Sequence, residues 1–244
     1  MHPSLASTAH RPWPLPAGPW LMAQSWHDLL FAHWPIAPET LRPLVPSQLD
    51  LERFDQQCWI GVIPFWMSGV RPRGIPAIPG LSSFPELNVR TYVICSGRPG
   101  VYFFSLDAAS LPAVRTARAI YHLPYFFADM QVKDTGPEIA YRCSRRKAEA
   151  EFRACYAPLD AVELHKPGTI EHWLTERYCL YTVHDQTVYQ GDVHHVPWPL
   201  QNASAEISVN SMARAAGISL PDTRPLLHFA KRLDVVVWPL RRAG

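Results

Sequence analysis

Residues 84–108 read FPELNVRTYVICSGRPGVYFFSLDA, and this stretch predicts two adjacent β-strands. Polar and apolar residues alternate over residues 86–92, as they do along a strand with one polar and one apolar face. Residues 101–107 alternate as well, and residues 95–100 between the two runs have the serine, glycine and proline of a hairpin loop. The stretch therefore predicts an antiparallel strand pair.

This strand pair carries a set of side chains that is unusual for a surface strand. The first strand projects an acid, an amide, a guanidinium and a phenol from one face, namely Glu86, Asn88, Arg90 and Tyr92. The second strand ends with Ser105 and Asp107 on one face. If the two strands share this polar face, Arg90 lies beside Ser105 or Asp107. We expect a binding or catalytic surface here.

The rest of the chain is predicted to be rich in strands, with a few short helices. Pro64 interrupts one apolar run and predicts a sheet edge or a bulge there. The predicted strands cover residues 26–34, 49–54, 58–70, 125–132, 138–145, 148–156 and 226–240, with a hairpin over 179–190. The predicted helices cover residues 38–44, 111–121, 169–178 and 208–216, the last of them ending at Gly217.

Composition excludes several classes of function. The chain has 244 residues, 23 basic and 21 acidic, so its net charge of +2 offers no broad basic surface for nucleic acid. No apolar run approaches the roughly 20 residues that span a bilayer, and the N-terminus lacks a signal-peptide stretch. We therefore expect a soluble, cytoplasmic protein with one domain over residues 20–244 and a poorly ordered or surface-bound extension over residues 1–19.

The sequence contains no motif for a common cofactor. The five cysteines are odd in number and widely spaced, which is typical of buried thiols in a reducing compartment. There is no C-x-x-C pair and no glycine-rich phosphate loop. We expect neither a cofactor nor a metal, although His33, His122 and one of His194 and His195 form a conceivable metal set.

Several long motifs occur together in a fixed order. They are FPELNVRTYV (84–93), GVYFFSLDA (100–108), AR followed by YHLPY (117–125), LTERYCLY (174–181) and HHVPWPLQ (194–201). In these motifs the chain resembles the YqjF-like family of uncharacterised proteins, which are similar in fold to acetoacetate decarboxylase, over about residues 20–239. The resemblance implies an α+β, mainly antiparallel fold, in which a curved sheet closes into a barrel-like cone around a ligand cavity, with helices at its edges.

The decarboxylases of this fold use one of two adjacent lysines after a Phe-Pro pair to form a Schiff base with the substrate. The matching segment here is Leu123-Pro124-Tyr125-Phe126, which has no lysine, so the resemblance implies that this chemistry is absent. Their cavity glutamate corresponds to Glu86. Their arginine falls near Trp26 and has no match, which leaves Arg90 as a candidate cation from another strand.

Two functions remain open. In the first, the protein is an enzyme for a small carbonyl or carboxylate compound: Glu86 or Asp107 accepts a proton, Arg90 holds an anionic group, and Tyr92 or Tyr125 donates a hydrogen bond to an oxyanion. In the second, it binds a small molecule without catalysis. Asn88, Ser105, Arg118 and His195 complete the candidate binding residues. Exposed edges of an open sheet are compatible with a homo-oligomer.

Several candidates also have a structural interpretation. Glu86 and Arg90 are compatible with a buried ion pair, which would itself shift their pKa values. Asp107 is also placed to cap the helix that follows it. Arg118 and Tyr121 are spaced to anchor that helix to the sheet, and His195 is suited to a packed position under Trp198.

Overall fold

The computed structural model describes residues 2–243. Within them, hydrogen bonds join thirteen strands into one strongly curved sheet. The strands are β1 (Met22–Ile36), β2 (Asp50–Leu51), β3 (Cys58–Pro72), β4 (Phe84–Cys95), β5 (Arg98–Ala108), β6 (Tyr125–Asp134), β7 (Ile139–Arg145), β8 (Glu151–Pro158), β9 (Cys179–His184), β10 (Thr187–His194), β11 (Gln201–Asn210), β12 (Leu226–Val237) and β13 (Arg241–Arg242). The helices are α1 (Pro38–Leu41), α2 (Leu111–Tyr121) and α3 (Ile170–Thr175), with 3-10 turns at Pro3–Ala6, Arg42–Leu44 and Arg214–Ala216.

The sheet curves back on itself through a ring of hydrogen-bonded strands. The order β5-β6-β7-β8-β11-β12-β1-β3-β4 returns to β5 through the β4–β5 pairing, and β9 and β10 connect β5 to β12 by a second route. Nearly all pairings are antiparallel, whereas β5 pairs in parallel with both β6 and β9. The predicted mainly antiparallel α+β fold with a curved sheet is therefore confirmed.

Most predicted elements are present. The β4–β5 hairpin, the β6-β7-β8 meander, the β9–β10 hairpin and helix α2 lie where alternation and turn residues predicted them. A bulge occurs in β1 opposite Pro64, because the six residues of β1 from His27 to Ala32 face the five residues of β3 from Val62 to Trp66. The ring of Pro64 has no N–H to give to the β1 ladder, which explains the irregularity.

The helix predicted over residues 208–216 is wrong. Residues up to Asn210 continue β11, and only Arg214–Ala216 forms a 3-10 turn, which ends at Gly217 with a φ of 79° as expected for a left-handed cap. The alternation of Ala203, Ala205 and Ile207 with polar residues suits a strand that pairs with β8. Helix α3 is also shorter than predicted, although Thr169 caps it as expected.

The predicted sharing of one polar face by β4 and β5 is also wrong. Arg90 pairs with Phe103, while Val89 pairs with Ser105 and Leu87 with Asp107. An irregularity between Val89 and Arg90 inserts one extra residue on the β5 side, which reverses the alignment that the alternation implied. Ser105 and Asp107 therefore lie on the face opposite to that of Glu86.

Two hydrophobic cores occupy the two sides of β4. We call the side with Glu86, Asn88, Arg90 and Tyr92 the Glu86 face; it contacts a core that includes Phe31, Phe65, Leu106, Leu174 and Trp198. We call the opposite side, with Leu87, Val89 and Asp107, the Asp107 face; it contacts a core that includes Trp34, Tyr141, Phe152, Tyr156 and Phe229. Every residue of β4 from Phe84 to Val93 is buried, so both faces of this strand are interior.

The N-terminal segment contacts the outer side of β10. The Arg11 guanidinium is buried, donates from Nη1 to the carbonyl oxygen of Val193 over 2.8 Å, and lies 4.7 Å above the ring of Tyr178. His10 Nε2 lies 2.8 Å from the carbonyl oxygen of His195. In the part of the chain that the structure describes, no helix is long and apolar enough to cross a bilayer.

Candidate functional site

Glu86 is the central residue of the Glu86 face. Its side chain is 3% exposed, and the Tyr125 hydroxyl donates a hydrogen bond of 2.9 Å to Glu86 Oε2. Burial raises the pKa of Glu86 to about 8; the Tyr125 hydrogen bond opposes this rise, and the negative charge of Asp107 adds to it. A carboxyl group in this state is largely protonated at neutral pH and can exchange a proton in either direction.

Tyr125 reaches Glu86 because of the parallel pairing of β5 and β6. Tyr125 pairs with Leu106, and Leu106 pairs with Asn88, so the three residues lie in one row across the sheet. The Arg118 guanidinium of α2 donates from Nε to the carbonyl oxygen of Tyr125 over 2.6 Å. Arg118 is exposed and anchors α2 to β6, so it reaches Glu86 only through Tyr125.

Arg90 is a buried cation without a carboxylate partner among residues 2–243. It is 8% exposed, and Nη2 donates two long hydrogen bonds, 3.3 Å to the Tyr92 hydroxyl and 3.2 Å to the carbonyl oxygen of Leu174. Its Cζ lies 5.7 Å from the Phe31 ring, and its Nε is buried without a partner. Glu86 and Arg90 form no ion pair in the described chain, so the structure does not support the structural interpretation of these two residues.

Tyr92 links Arg90 to His33. The Tyr92 hydroxyl lies 2.7 Å from His33 Nε2 and accepts from Arg90, so its own proton is free for His33. We assign this proton to the bond with Nε2, which places the imidazole proton on Nδ1. Burial holds the pKa of His33 well below its ordinary value, and Arg90 lowers it further, so the ring is neutral. His33 Nδ1 is buried without a partner.

Gly61 makes room for this arrangement. His33 of β1 pairs with Gly61 of β3, which pairs with Arg90 of β4. A Cβ at Gly61 would lie 2.9 Å from His33 Nε2 and 3.0 Å from its Cδ2, so any side chain at this position would displace the His33 ring. Sequence reasoning did not identify His33 or Gly61 as part of this surface. The only signal for His33 is a histidine that follows the apolar run Leu29–Ala32 of β1.

Asn88 lies between Glu86 and Arg90 on the same face. It is 6% exposed, and its Oδ1 is buried without a hydrogen-bond partner. The Tyr121 hydroxyl and Trp198 Nε1 are likewise buried and unpaired. Buried polar atoms without partners are uncommon in folded proteins, because each one loses its hydrogen bonds to water. Other unpaired buried atoms of the described chain lie elsewhere, for example Ser105 Oγ on the Asp107 face and Arg11 Nη2 in the N-terminal segment.

Asp107 differs from Glu86 in its hydrogen-bond partner, which is an arginine and not a tyrosine. It is fully buried on the Asp107 face, where Arg145 binds both of its oxygens, with Nε to Oδ1 at 2.7 Å and Nη2 to Oδ2 at 2.8 Å. Burial raises the pKa of Asp107, and the Arg145 hydrogen bonds oppose that rise. Asp107 does not cap α2, as the structural interpretation had it. The cap is Ser110, whose side chain accepts a hydrogen bond from the Ala113 N–H. Ser105 shares the face of Asp107, so neither residue lies beside Arg90.

The remaining predicted residues lie apart from the Glu86 carboxyl. His195 is fully buried, and its nitrogens face the carbonyl oxygens of Val196 (2.7 Å) and Arg177 (3.2 Å). Its ring lies 5.4 Å from that of Trp198, as expected for a packed histidine. His122 is stacked on His184 at 4.0 Å, whereas His33 contacts Tyr92 and pairs with Gly61. The structure therefore does not bring together the histidines considered for a metal.

The surface depressions of the described chain include two whose linings can be compared with the Glu86 face. One, of about 500 Å³, is lined mainly by β6 and β7. The other, of about 200 Å³, is lined by β5, by β9 and by residues 122–124, which lead into β6, so it lies at the fork between β6 and β9 beside β5. Neither is lined by Glu86, Asn88 or Arg90. The smaller one is lined by Phe103 and Leu123, which also pack in the core beneath the Glu86 face.

The lysines lie outside this region. Lys133, Lys147, Lys166 and Lys231 are the only lysines of the sequence, and all of them are exposed.

Comparison with known proteins agrees with this fold. The family model of an uncharacterized conserved protein, DUF2071, matches residues 23–234. The chain is 51% identical over 229 residues to the uncharacterized protein YqjF of Bacillus subtilis strain 168, which covers 93% of this chain and 95% of that protein.

Solved structures with the same fold are distant in sequence. The acetoacetate decarboxylase of Legionella pneumophila matches with a TM-score of 0.64 at 12% identity, over 97% of this chain and 93% of that one. The enduracididine biosynthesis enzyme MppR, complexed with pyruvate, matches with a TM-score of 0.65 at 11% identity, over 93% and 91%. An acetoacetate decarboxylase-like enzyme from Sphingomonas wittichii RW1 matches with a TM-score of 0.64 at 13% identity, over 93% and 94%.

Proposed function

The chain belongs to the DUF2071 family of uncharacterized conserved proteins, and we propose that it is an enzyme that transfers a proton on a small carbonyl or carboxylate compound at the Glu86 face. One observation carries the proposal: a buried carboxyl group with a pKa of about 8 shares a strand face with a buried guanidinium that has no carboxylate partner. The first group suits acid–base chemistry near neutral pH, and the second suits binding of an anion.

In this proposal each residue of the face has a separate role. Glu86 gives a proton to the substrate and takes one from it, and Tyr125 holds its carboxyl through the 2.9 Å hydrogen bond. Burial, and then the neighbouring Glu86, raise the pKa of Tyr125 well above its ordinary value, so this hydroxyl remains a donor. Arg90 binds the substrate carboxylate, and Asn88 contacts the part of the substrate between these two ends.

The proposal requires chemistry without a lysine imine. The resemblance implies that Tyr125 lies in the segment where the decarboxylases have their lysines, and every lysine of this chain is exposed. Reduction with borohydride in the presence of acetoacetate is therefore expected to leave the mass of the protein unchanged. A reduced adduct on any lysine would contradict this part of the proposal.

We propose that the substrate enters at the fork between β6 and β9. The smaller depression lies at this fork, and Phe103 both lines it and pairs with Arg90 across the sheet. Asp107 and His195 are assigned to the scaffold, because their polar atoms are held by Arg145 and by backbone carbonyl oxygens respectively.

The alternative function is binding of a small molecule without catalysis. The unpaired polar atoms of the Glu86 face favour binding and catalysis equally, because a bound ligand would satisfy them whether or not it reacts. The raised pKa of Glu86 is the observation that favours an enzyme, since a binding site has no need for a group that titrates near neutral pH.

Exchange of carbon-bound protons separates the two functions. The protein is incubated in D₂O with pyruvate or 5-oxohexanoate, and loss of the proton signals next to the carbonyl group is followed by NMR. We expect exchange above the buffer rate with at least one acid, and a loss of about 100-fold or more in Glu86→Gln, because the amide cannot accept a proton.

Two variants serve as controls for this experiment. Tyr125→Phe keeps the carboxyl but removes its hydrogen bond, so exchange is expected to fall and its pH optimum to shift. Glu149→Gln changes an exposed glutamate and is expected to leave exchange unaltered. Binding without exchange by the unmodified protein would favour the non-catalytic function, and equal exchange in Glu86→Gln would remove Glu86 from the site.

A further inference from the structure

Strand β6 has one paired edge and one edge that becomes free after Phe127. It pairs with β7 along its length from Ala128 to Asp134, whereas it pairs with β5 only over residues 125–127. Among residues 2–243, no other strand pairs with the second edge of residues 128–134. An unpaired strand edge presents a row of N–H and C=O groups that can pair with a strand of another chain.

Two hydrogen bonds, one at each end of the β6–β7 ladder, show which backbone groups face this free edge. Arg146 N donates to the carbonyl oxygen of Phe127 over 3.1 Å, and Thr135 N donates to that of Glu138 over 3.0 Å. Hydrogen-bonded positions alternate along an antiparallel ladder, so the odd-numbered residues of β6 direct their N–H and C=O groups to β7. The even-numbered residues among 128–134 therefore direct theirs to the free edge.

The two faces of this segment differ in polarity. Ala128, Met130 and Val132 contact the core of the Asp107 face, and the last two are only partly buried. The other face is exposed and polar, with Asp129, Gln131 and Lys133. A strand of the same pattern added at the free edge would cover Met130 and Val132 and would leave the charged side chains at the surface.

The surface beside β6 is open. The larger depression, of about 500 Å³, is lined by Ala109, the residue after the end of β5, together with residues 127–131 of β6. The depression therefore extends along the place where β6 leaves β5, which is where an added strand would begin to pair.

Strand β11 also has an edge that is unpaired over most of its length, but this edge is blunted. It pairs with β12 only at Gln201 and Asn202, and a bulge interrupts its pairing with β8 between Ile207 and Val209. Bulges twist an edge away from pairing with another chain. The pairing of β6 with β7 has no register shift, so β6 is the better template of the two.

We propose that β6 is the interface between two copies of this chain, which pair antiparallel about a two-fold axis at Gln131. In this register Met130 of one copy exchanges both backbone hydrogen bonds with Val132 of the other, in agreement with the outward direction of their backbone groups. Asp129 lies directly opposite Lys133 of the second copy, and the symmetry repeats this contact. The interface does not depend on the proposed function.

The charges of the exposed face select this register. A two-fold axis at Met130 would place Asp129 opposite Gln131, and an axis at Val132 would place Lys133 opposite Gln131. Neither of these registers brings opposite charges together. The axis at Gln131 does so twice, and opposite charges on directly facing positions stabilise a strand pair.

Both charged side chains are accessible to a second copy. Lys133 is exposed and forms no ion pair with another residue of the described chain, in which Lys231 is the paired lysine. The Asp129 carboxylate contacts Arg146 Nη2 at 2.8 Å but is 62% exposed. A carboxylate has about four acceptor sites, so Asp129 can accept from a lysine as well.

Sedimentation velocity over a wide range of protein concentrations tests the interface. We expect a reversible dimer with twice the mass of the single chain. Lys133→Asp places a second carboxylate opposite Asp129 at both symmetry-related positions, so it is expected to raise the dissociation constant by at least about tenfold. Lys166→Asp makes the same change at an exposed lysine in the loop before α3 and is expected to leave the dissociation constant unaltered.

Reversal of the two charges tests the register. The double variant Asp129→Lys/Lys133→Asp again places opposite charges face to face, so it is expected to recover most of the affinity that Lys133→Asp loses. A register centred on another residue predicts no recovery. A double variant that dimerises no better than Lys133→Asp therefore overturns the proposal.

Hydrogen exchange followed by NMR tests the backbone contacts. The amides of Met130 and Val132 are expected to be protected in the dimer and to exchange faster in Lys133→Asp. The Gln131 amide is directed to β7, so equal protection in both proteins shows that the variant is folded. A chain that is monomeric at every concentration overturns the proposal, and so does a dimer whose Met130 and Val132 amides exchange freely.

Discussion

The two faces of β4 and β5 each hold a buried acid and a buried arginine, but in opposite states. On the Asp107 face, Arg145 binds both oxygens of Asp107 and lies 3.9 Å from the Phe126 ring, so charge and hydrogen bonds are satisfied. On the Glu86 face, the acid is held by a tyrosine, and the arginine has only two long hydrogen bonds. The same residue types therefore form a closed ion pair on one side, whereas on the other side they leave polar atoms without partners, Arg90 Nε among them.

The largest expected effect on stability comes from breaking the ion pair between Asp107 and Arg145. Arg145→Gln leaves Asp107 buried without its counter-charge, so the free energy of unfolding is expected to fall by about 3–5 kcal/mol. Arg146→Gln is the matched control, because the adjacent Arg146–Asp129 pair is exposed and is expected to contribute less than about 1 kcal/mol. Chemical denaturation measures both variants. Equal effects in the two would contradict the assignment of Asp107 and Arg145 to the scaffold.

The stability of the Glu86 face is expected to depend on pH. The pKa of Glu86 is about 8 in the folded protein and about 4.3 in the unfolded chain, so the folded state holds the proton more tightly. The contribution to stability is complete below about pH 4 and is lost as pH rises to 8. Glu86→Gln has no titrating carboxyl at this position, so it does not lose stability in this way. The free energy of unfolding of Glu86→Gln, relative to that of the unmodified protein, is therefore expected to rise by on the order of 4 kcal/mol between pH 5 and pH 8.5.

Thermal unfolding of both proteins across this pH range measures the difference. Glu149→Gln, an exposed glutamate, is expected to give a constant difference near zero. A destabilisation by Glu86→Gln that is the same at every pH would mean that the carboxyl is ionised in the folded protein, as in a buried ion pair.

The sequence predicted the strands better than their alignment. Alternation over residues 86–92 identified β4 and its polar face, because the two faces of this strand differ in residue type. Alternation could not reveal the extra residue in β5, since Phe103 and Phe104 are both aromatic and either one fits an apolar face. The error of one residue moved Ser105 and Asp107 to the wrong side.

The site was predictable only where a resemblance or a pattern pointed to it. Tyr125 was a candidate because the resemblance implies that its segment corresponds to the lysine segment of the decarboxylases. Its contact with Glu86 follows from a parallel β5–β6 pairing that no local pattern specifies. His33 and Gly61 meet Arg90 through pairings between strands that are distant in sequence. Their role depends on which residues share a row across the sheet, which is a property of the fold.

Gly61→Ala tests the packing of His33 against the Glu86 face. The new Cβ would lie 2.9 Å from His33 Nε2, so His33 must move and its hydrogen bond with Tyr92 is expected to break. We expect a loss of about 1–3 kcal/mol in the free energy of unfolding. In a double-mutant cycle, His33→Ala removes the clash, so the effect of Gly61→Ala is expected to be smaller in that background. Additive effects would show that Gly61 and His33 do not interact.

The smallest expected effect on stability is that of Arg90→Gln. Its guanidinium makes two long hydrogen bonds and lacks a carboxylate partner within residues 2–243, so the lost contacts are offset by relief of an unpaired buried charge. We expect the free energy of unfolding to change by less than about 1 kcal/mol, compared with about 3–5 kcal/mol for Arg145→Gln in the same buffer. Denaturation of the two variants side by side makes the comparison direct. A loss at Arg90 as large as that at Arg145 would mean that both faces are scaffold, whereas a small loss combined with weaker binding of 5-oxohexanoate identifies Arg90 as a residue retained for its ligand.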